Sequence, residues 1–315
     1  MNQTLKKIDI EKVLFFDIET VRRSKELDIN SREFELFRKK TRNRETDEYL
    51  PNDEVIELYR RTAALRMGYN TVVSIGVGFV KDGEVHIKAL EGTEQEIITQ
   101  FATIAQSFGF VCGANIIGFD LPMVVNNGYR YFDVSSLLPD RYITSGKKPW
   151  ELKSVIDLME TFRGTHFSNS TLDEMCYHFD LPSPKTDLEG SQVSEEYWTN
   201  GINNINTYVK QDVLASINLL RKMRFEQPFE TFLDKNDTFV EQKPLLNRIF
   251  AAKQITEKDK EELKILLQKK KPTKKEKEIV LGLIRASMAD IDPNFGKVLN
   301  QKQIDEIINQ LKTEI

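Results

Sequence analysis

Four consecutive apolar residues, Val13-Leu14-Phe15-Phe16, leave no polar face for water, and such a run reads as a strand buried on both sides. Thr71–Val80 (TVVSIGVGFV) is β-branched and punctuated by glycine. Lys81-Asp82-Gly83-Glu84 then carries a hairpin-turn signal, and Val85–Leu90 alternates as the returning strand. Phe110–Ala114 and Val155–Met159 are two further apolar runs of strand length. Elsewhere the period is helical. Glu94–Phe108 sets Ile97, Ile98, Phe101, Ile104 and Ala105 on one face. Thr171-Leu172-Asp173-Glu174 opens a helix to about Phe179, and Ser191–Ser194 opens another that Gly201 breaks. Ile202–Met223 reads as one long helix with Ile205, Tyr208, Val209, Asp212, Val213, Ser216, Ile217 and Leu220 on one side.

Two regions depart from this alternation. Val21–Met67 is polar and heavily charged, with helix-forming composition over Arg32–Lys40 and Asp53–Arg66, so residues 22–70 are expected to form an insertion of helices and loops. Its charge reads as a solvated face, with Arg38–Arg44 as the stretch suited to a phosphate backbone. From about Pro228 the pattern is helical throughout, over Pro244–Ala252, Glu257–Gln268, Lys274–Met288 and Gln301–Lys312. Residues 231–315 hold 17 Lys and Arg against 14 Asp and Glu, which reverses the sign of the rest of the chain. Domains are therefore expected at 1–227 and 228–315, the second a Lys-rich helical module whose cations make either a soluble face or a nucleic-acid contact.

Composition narrows the classes. At 315 residues and a net charge of −4 the whole molecule attracts no polyanion, so any nucleic acid must be held by local basic patches or by metal ions. Cys112 and Cys176 sit in apolar contexts and read as reduced core thiols; His86, His166 and His178 have no ligand-like spacing, against a His/Cys zinc site. Met1–Lys12 lacks a signal-peptide run and no stretch approaches a membrane span, so a cytoplasmic protein with no membrane partner is expected.

The candidate chemistry is acidic. On a strand, residues two apart project to the same side, so Asp17 and Glu19 (FFDIET) would stand together. Burial sharpens their repulsion, and a hard divalent cation such as Mg²⁺ relieves it. Alone, such a pair equally suits a solvent-facing strand end. A haloacid-dehalogenase-like phosphatase also starts from an Asp after an apolar strand, but would want Asp where Glu19 stands. Asp120, two residues before Pro122, suits a helix N-cap or a group at a strand's end. Asp212 lies amid the apolar stripe of the long helix, one turn beyond Tyr208, where a charge is costly unless paired or metal-bound.

Asp17/Glu19, then Asn115 to Asp120 in NIIGFDLP, then Tyr208 to Asp212 stand in order on strand, strand end and helix. This arrangement resembles the DEDD superfamily of 3′→5′ exonucleases, in its Tyr subtype. FFDIET and NIIGFDLP look most like the proofreading exonuclease domain of family-B DNA polymerases. KTDLEGSQV (Lys185–Val193) is similar to a predicted stand-alone group of that domain's relatives. The likeness covers about residues 10–225.

The resemblance implies an α/β, ribonuclease-H-like fold: a mixed five- to six-stranded sheet flanked by helices, here with an all-helical C-terminal appendage. It implies two Mg²⁺ or Mn²⁺ ions, with Asp17 bridging them, Glu19 and Asp212 completing the first and Asp120 holding the second. Tyr208 would orient the attacking water, and Thr20, Asn115, Phe119 and Lys185 would lie along the substrate strand. The expected partner is a single-stranded nucleic acid with a free 3′ end, DNA before RNA. An exoribonuclease, and a non-catalytic binding protein on a vestigial nuclease fold, stand as alternatives. Asp157 has no counterpart and is expected to be structural.

Overall fold

In the computed structural model of the chain the described residues are 2–43, 46–148, 151–163, 170–185, 188, 190–234, 256–269 and 273–288. Five strands form one mixed sheet: β1 (Val13–Arg22), β2 (Asn70–Lys81), β3 (Glu84–Leu90), β4 (Phe110–Gly113) and β5 (Val155–Asp157), in the order β3-β2-β1-β4-β5. β2 runs antiparallel to both β1 and β3, while β4 joins β1 in parallel and β5 joins β4 in parallel. The hairpin between β2 and β3 turns at Asp82 and Gly83, both at positive φ (51° and 79°), as an Asp-Gly turn of the primed kind requires.

The helices are α1 (Asn2–Lys7), α2 (Arg32–Lys39), α3 (Asn52–Thr62), α4 (Glu94–Ala105), α5 (Asp120–Gly128), α6 (Val134–Leu137), α7 (Leu158–Phe162), α8 (Leu172–His178), α9 (Val193–Asn200), α10 (Asn203–Met223), α11 (Glu257–Gln268) and α12 (Lys274–Met288). α4 and α8 both start with capping boxes, Thr93 with Glu96 and Thr171 with Glu174, which satisfy otherwise orphaned N–H groups of the first turn.

Alternation along β1 divides the core. Leu14, Phe16 and Ile18 point to the face covered by α4 and α5, meeting Ile97, Phe101, Leu121 and Val124. Val13 and Phe15 point to the face covered by α8 and α10, meeting Met175, Val213, Ile217 and Leu220. Cys112 and Cys176 are buried free thiols in that second layer. Phe34, Phe37, Val55 and Tyr59 of α2 and α3 form a small core of their own with Leu27 and Tyr69, so the segment after β1 is a packed subunit of the fold rather than a loose loop. After α10 the chain returns to the sheet's outer edge. Leu233 accepts from the N–H of Ile87 (3.1 Å) and donates to the carbonyl of Val85 (2.7 Å) on β3, six residues past the expected boundary at 227.

Two strands differ in extent from the expectation. β1 continues through both carboxylates to Arg22, where the Thr20 hydroxyl donates to the Ala64 carbonyl, Val21 packs with Val193 of α9 and the Arg22 N–H donates to the Ser194 hydroxyl. β5 stops at Asp157, whose side chain caps α7 by accepting from the N–H groups of Met159 (2.9 Å) and Glu160 (3.2 Å). α11 and α12 match their expected spans and bury Leu263, Leu266, Leu267, Val280 and Leu281. The helices expected at Pro244–Ala252 and Gln301–Lys312 lie outside the described residues. Among the described residues no helix is long and apolar enough to cross a membrane.

Candidate active site

Asp17 and Glu19 extend the Val13–Phe15 side of β1, so they emerge beneath α10, opposite Gly76 and Ser74 of β2. Two glycines of β2 bring that helix down onto them. A Cβ on Gly76 would lie 2.9 Å from the carbonyl oxygen of Val209, and one on Gly78 would lie 2.6 Å from the Val213 side chain. With hydrogens there instead, α10 rests against the sheet and Asp212 reaches Asp17 and Glu19. Carboxylate oxygens of these three residues lie within 4.8 Å of one another. Asp212 is 7% exposed and Glu19 9%, while Asp17 is half-buried.

Asp120 enters from the parallel neighbour. β4 ends at Gly113, which lies so close to β1 that a Cβ would meet the Phe16 carbonyl oxygen at 2.5 Å. The chain then turns through Asn115, at φ 60°, into α5. Asp120 is the first residue of α5, 3% exposed, and its Oδ1 accepts from the N–H of Ile18 (3.1 Å) between the two β1 acids. Asp157 braces this turn from β5, accepting from the N–H groups of Asn115 (3.0 Å) and Ile117 (2.9 Å). It therefore binds four backbone donors and is committed to structure.

The electrostatics are those of a crowded acidic pocket. Burial, then the charges of Asp120, Asp212 and Glu19, raise the Asp17 carboxyl well above its usual range. Burial, then Asp212 and Asp120, do the same to Glu19. Asp120 is pushed up to about 8, chiefly by burial, against the pull of its N–H partners. Asp212 is pushed up to about 7 by burial, with the Tyr208 hydroxyl donating to it and Lys185 pulling the other way. Tyr208, 8% exposed, is raised by burial and then by Asp212, Glu19 and Asp17, so its phenol stays protonated and can serve as a donor but not as a base.

Metal binding would relieve this repulsion. Mg²⁺ takes oxygens at about 2.1 Å, so opposite ligands stand about 4.2 Å apart, and three carboxylates within 4.8 Å of one another fit such an ion. Among the described residues no histidine or cysteine joins the group, and the donor set is the hard, all-oxygen kind.

The other expected residues fall less uniformly. Lys185 is exposed and near enough to act on Asp212. Asn115 is exposed, and Phe119 is half-buried against the core on the α4–α5 side. Thr20 is buried, and its hydroxyl donates to the carbonyl of Ala64 (2.7 Å). Asp173 of α8, which sequence reasoning read only as part of a helix start, also bears on Asp212. No periodic or spacing signal distinguishes it from an ordinary first-turn acid.

A family model described as a predicted 3′-5′ exonuclease related to the exonuclease domain of PolB matches residues 62–257. The match takes in Asp120, Tyr208 and Asp212, and begins after Asp17 and Glu19. No curated protein and no solved structure matches the chain. With Asp120, Tyr208 and Asp212 inside the matched span, Asp17 and Glu19 folded against them, and a five-stranded mixed sheet consistent with a ribonuclease-H-like α/β fold, the chain belongs to this family of predicted 3′-5′ exonucleases related to the PolB exonuclease domain.

Proposed function

We propose that the protein is a metal-dependent 3′→5′ exonuclease that hydrolyses the terminal phosphodiester of single-stranded DNA and releases nucleoside 5′-monophosphates. The observation that carries this reading is the convergence of Asp17, Glu19 and Asp212 within 4.8 Å, with Asp120 hydrogen-bonded to the peptide between the first two. These four residues would hold two Mg²⁺ or Mn²⁺ ions. Bound there, such ions lower the pKa of water and stabilise the entering and leaving oxygens of an in-line displacement.

The chain's own groups have distinct tasks. The four carboxylates fix the cations and deter an anionic substrate until the cations are present. Tyr208, a neutral hydroxyl anchored on Asp212, orients the attacking water. Lys185, beside Asp212 on an exposed loop, meets the scissile phosphate. Asn115 and Phe119, on the turn before α5, flank the terminal nucleotides, and an aromatic face there stacks without base preference. Thr20 acts by holding the Ala64 turn against β1. The exonuclease unit spans β1 to α10, with the Lys-rich helices as an appended module.

The assay is release of labelled mononucleotides from a 3′-labelled single strand with Mn²⁺, Mg²⁺ or chelator. Asp17→Asn is expected to abolish a metal-dependent activity while leaving the circular dichroism unchanged; full activity in that variant refutes the assignment. Matched DNA and RNA oligonucleotides decide the sugar preference, since only the 2′-hydroxyl differs.

A further inference from the structure

A second concavity lies beyond the acidic centre, where β1 leaves the sheet. It encloses about 490 Å³ and is lined by Arg23, Arg32 and Lys40 together with Leu36, Met67 and Tyr69. Among the described residues none of the three cations forms an ion pair, although the chain as a whole carries a net charge of −4. The one acid in the lining, Glu33, is already engaged. Its two oxygens accept from the hydroxyls of Tyr59 and Ser24, each at 2.7 Å. Leu36 is 42% exposed and Met67 39%, so apolar surface shares the lining with the cations, and Lys40 sits 4.7 Å over the Tyr69 ring. Cations beside apolar and aromatic groups suit a ligand with both phosphate and base.

The position ties this pocket to the acidic centre. Arg23 directly follows β1, and its N–H donates to the Tyr69 carbonyl (2.8 Å). It lies four positions beyond Glu19, about 13 Å at strand rise. Thr20, next to Glu19, holds the turn that leads to Met67. The carboxyl ends of parallel strands are where ligands lie in open α/β sheets, and β1 ends here.

We propose that this pocket is the upstream contact of the same site: it holds a phosphate and adjoining base a few nucleotides from the 3′ terminus, and so gives the enzyme its grip on strands longer than a dinucleotide. This rests on the exonuclease reading. Arg23, Arg32, Leu36 and Lys40 precede residue 62, where the family match begins, while Met67 and Tyr69 lie inside it.

The test compares full-length protein with the variant Arg23→Gln/Arg32→Gln/Lys40→Gln. All three residues are exposed and the substitutions keep part of the aliphatic stems. A control, Lys7→Gln/Lys12→Gln/Lys81→Gln, makes the same charge change at the opposite end of β1. Binding of a fluorescent single-stranded oligothymidylate of about twelve nucleotides is read by anisotropy in chelator, within the usual range of site sizes. The pocket variant should bind at least tenfold more weakly, and the log–log salt slope should flatten by about 0.7, the amount for one lost phosphate contact on a single strand. With Mn²⁺, KM should rise for the long strand and stay unchanged for thymidine dinucleotide. Parent affinity and slope in the pocket variant, or an equal loss in the control, overturn the proposal. Should the triple variant melt early, Arg32→Gln and Lys40→Gln are read singly, each expected to lose a smaller share. A parent protein that binds the strand through this pocket yet degrades nothing refutes the exonuclease reading alone.

Discussion

Asp212→Asn should make the metal-free protein more stable while destroying its response to metal. In the folded chain the Asp212 carboxyl is pushed up to about 7, mainly by burial, from an ordinary value near 3.8. At pH 8 it is therefore held ionised against its surroundings. A gap of about three units at about 1.4 kcal/mol each sets an upper bound near 4 kcal/mol, and relaxation of the pocket brings the expected gain to about 2–3 kcal/mol. Asparagine keeps an oxygen to accept the Tyr208 hydroxyl and also removes a charge that raises Asp17 and Glu19. For a domain of this size each kcal/mol moves Tm by roughly 2–4 °C, so the variant should melt about 4–12 °C higher in chelator. Excess Mn²⁺ should then raise the parent's Tm, by about 2.7 kcal/mol of stability at a hundredfold excess over Kd, and barely move the variant. Differential scanning fluorimetry at pH 8, with chelator and with Mn²⁺, reads both effects. A variant that melts below the parent in chelator, or keeps the parent's full Mn²⁺ shift, refutes the reasoning.

Three further outcomes follow from the same geometry. Asp17, Glu19, Asp120 and Asp212 all have folded pKa values raised above unfolded ones, so their contribution is favourable in acid, where they are protonated, and is lost as pH rises through the folded values of about 7 for Asp212 and 8 for Asp120. Metal-free protein should accordingly lose stability in urea between pH 5 and pH 9, a loss that Mn²⁺ reverses at the alkaline end. Gly78→Val should cost about 1–3 kcal/mol by urea denaturation and reduce kcat, since its side chain would displace Val213 and lift α10 with Asp212; unchanged kcat with lowered stability would uncouple the helix from the site. Asp157→Ala should cost about 2–4 kcal/mol, because four backbone N–H groups lose their acceptor, and a urea midpoint equal to the parent's would show that water replaces it.

How far the chain could be read in advance depended on the kind of signal. The core of β1, the Asp-Gly hairpin and the stripe of α10 rest on local period and turn chemistry, and each formed where the pattern put it. The order of acids identified the family, because the strand–turn–helix context of each is local too. What could not be read was anything set by approach between distant segments. The length of β1 past Phe16 depends on cover from distant segments, the Ala64 turn that bonds Thr20 and α9 that packs on Val21. Gly76 and Gly78 read only as punctuation, yet they set the height of α10 above the sheet. Asp173 meets Asp212 only because α8 packs on α10. The basic pocket likewise gathers Arg23, Arg32 and Lys40 with Met67 and Tyr69, more than forty positions apart at the extremes, on a segment whose charge reads as a plain solvated face.

Leu233 has a practical bearing on how the molecule can be cut. β3 is the outermost rung of the antiparallel half, and the strap through Leu233 occupies backbone groups that would otherwise invite a neighbouring molecule to add a strand there. A fragment trimmed at 227 would bare that rim and tend toward self-association, whereas one ending after Asp234 keeps it sealed, along with the Lys210–Asp234 ion pair (2.6 Å) that fastens the strap to α10.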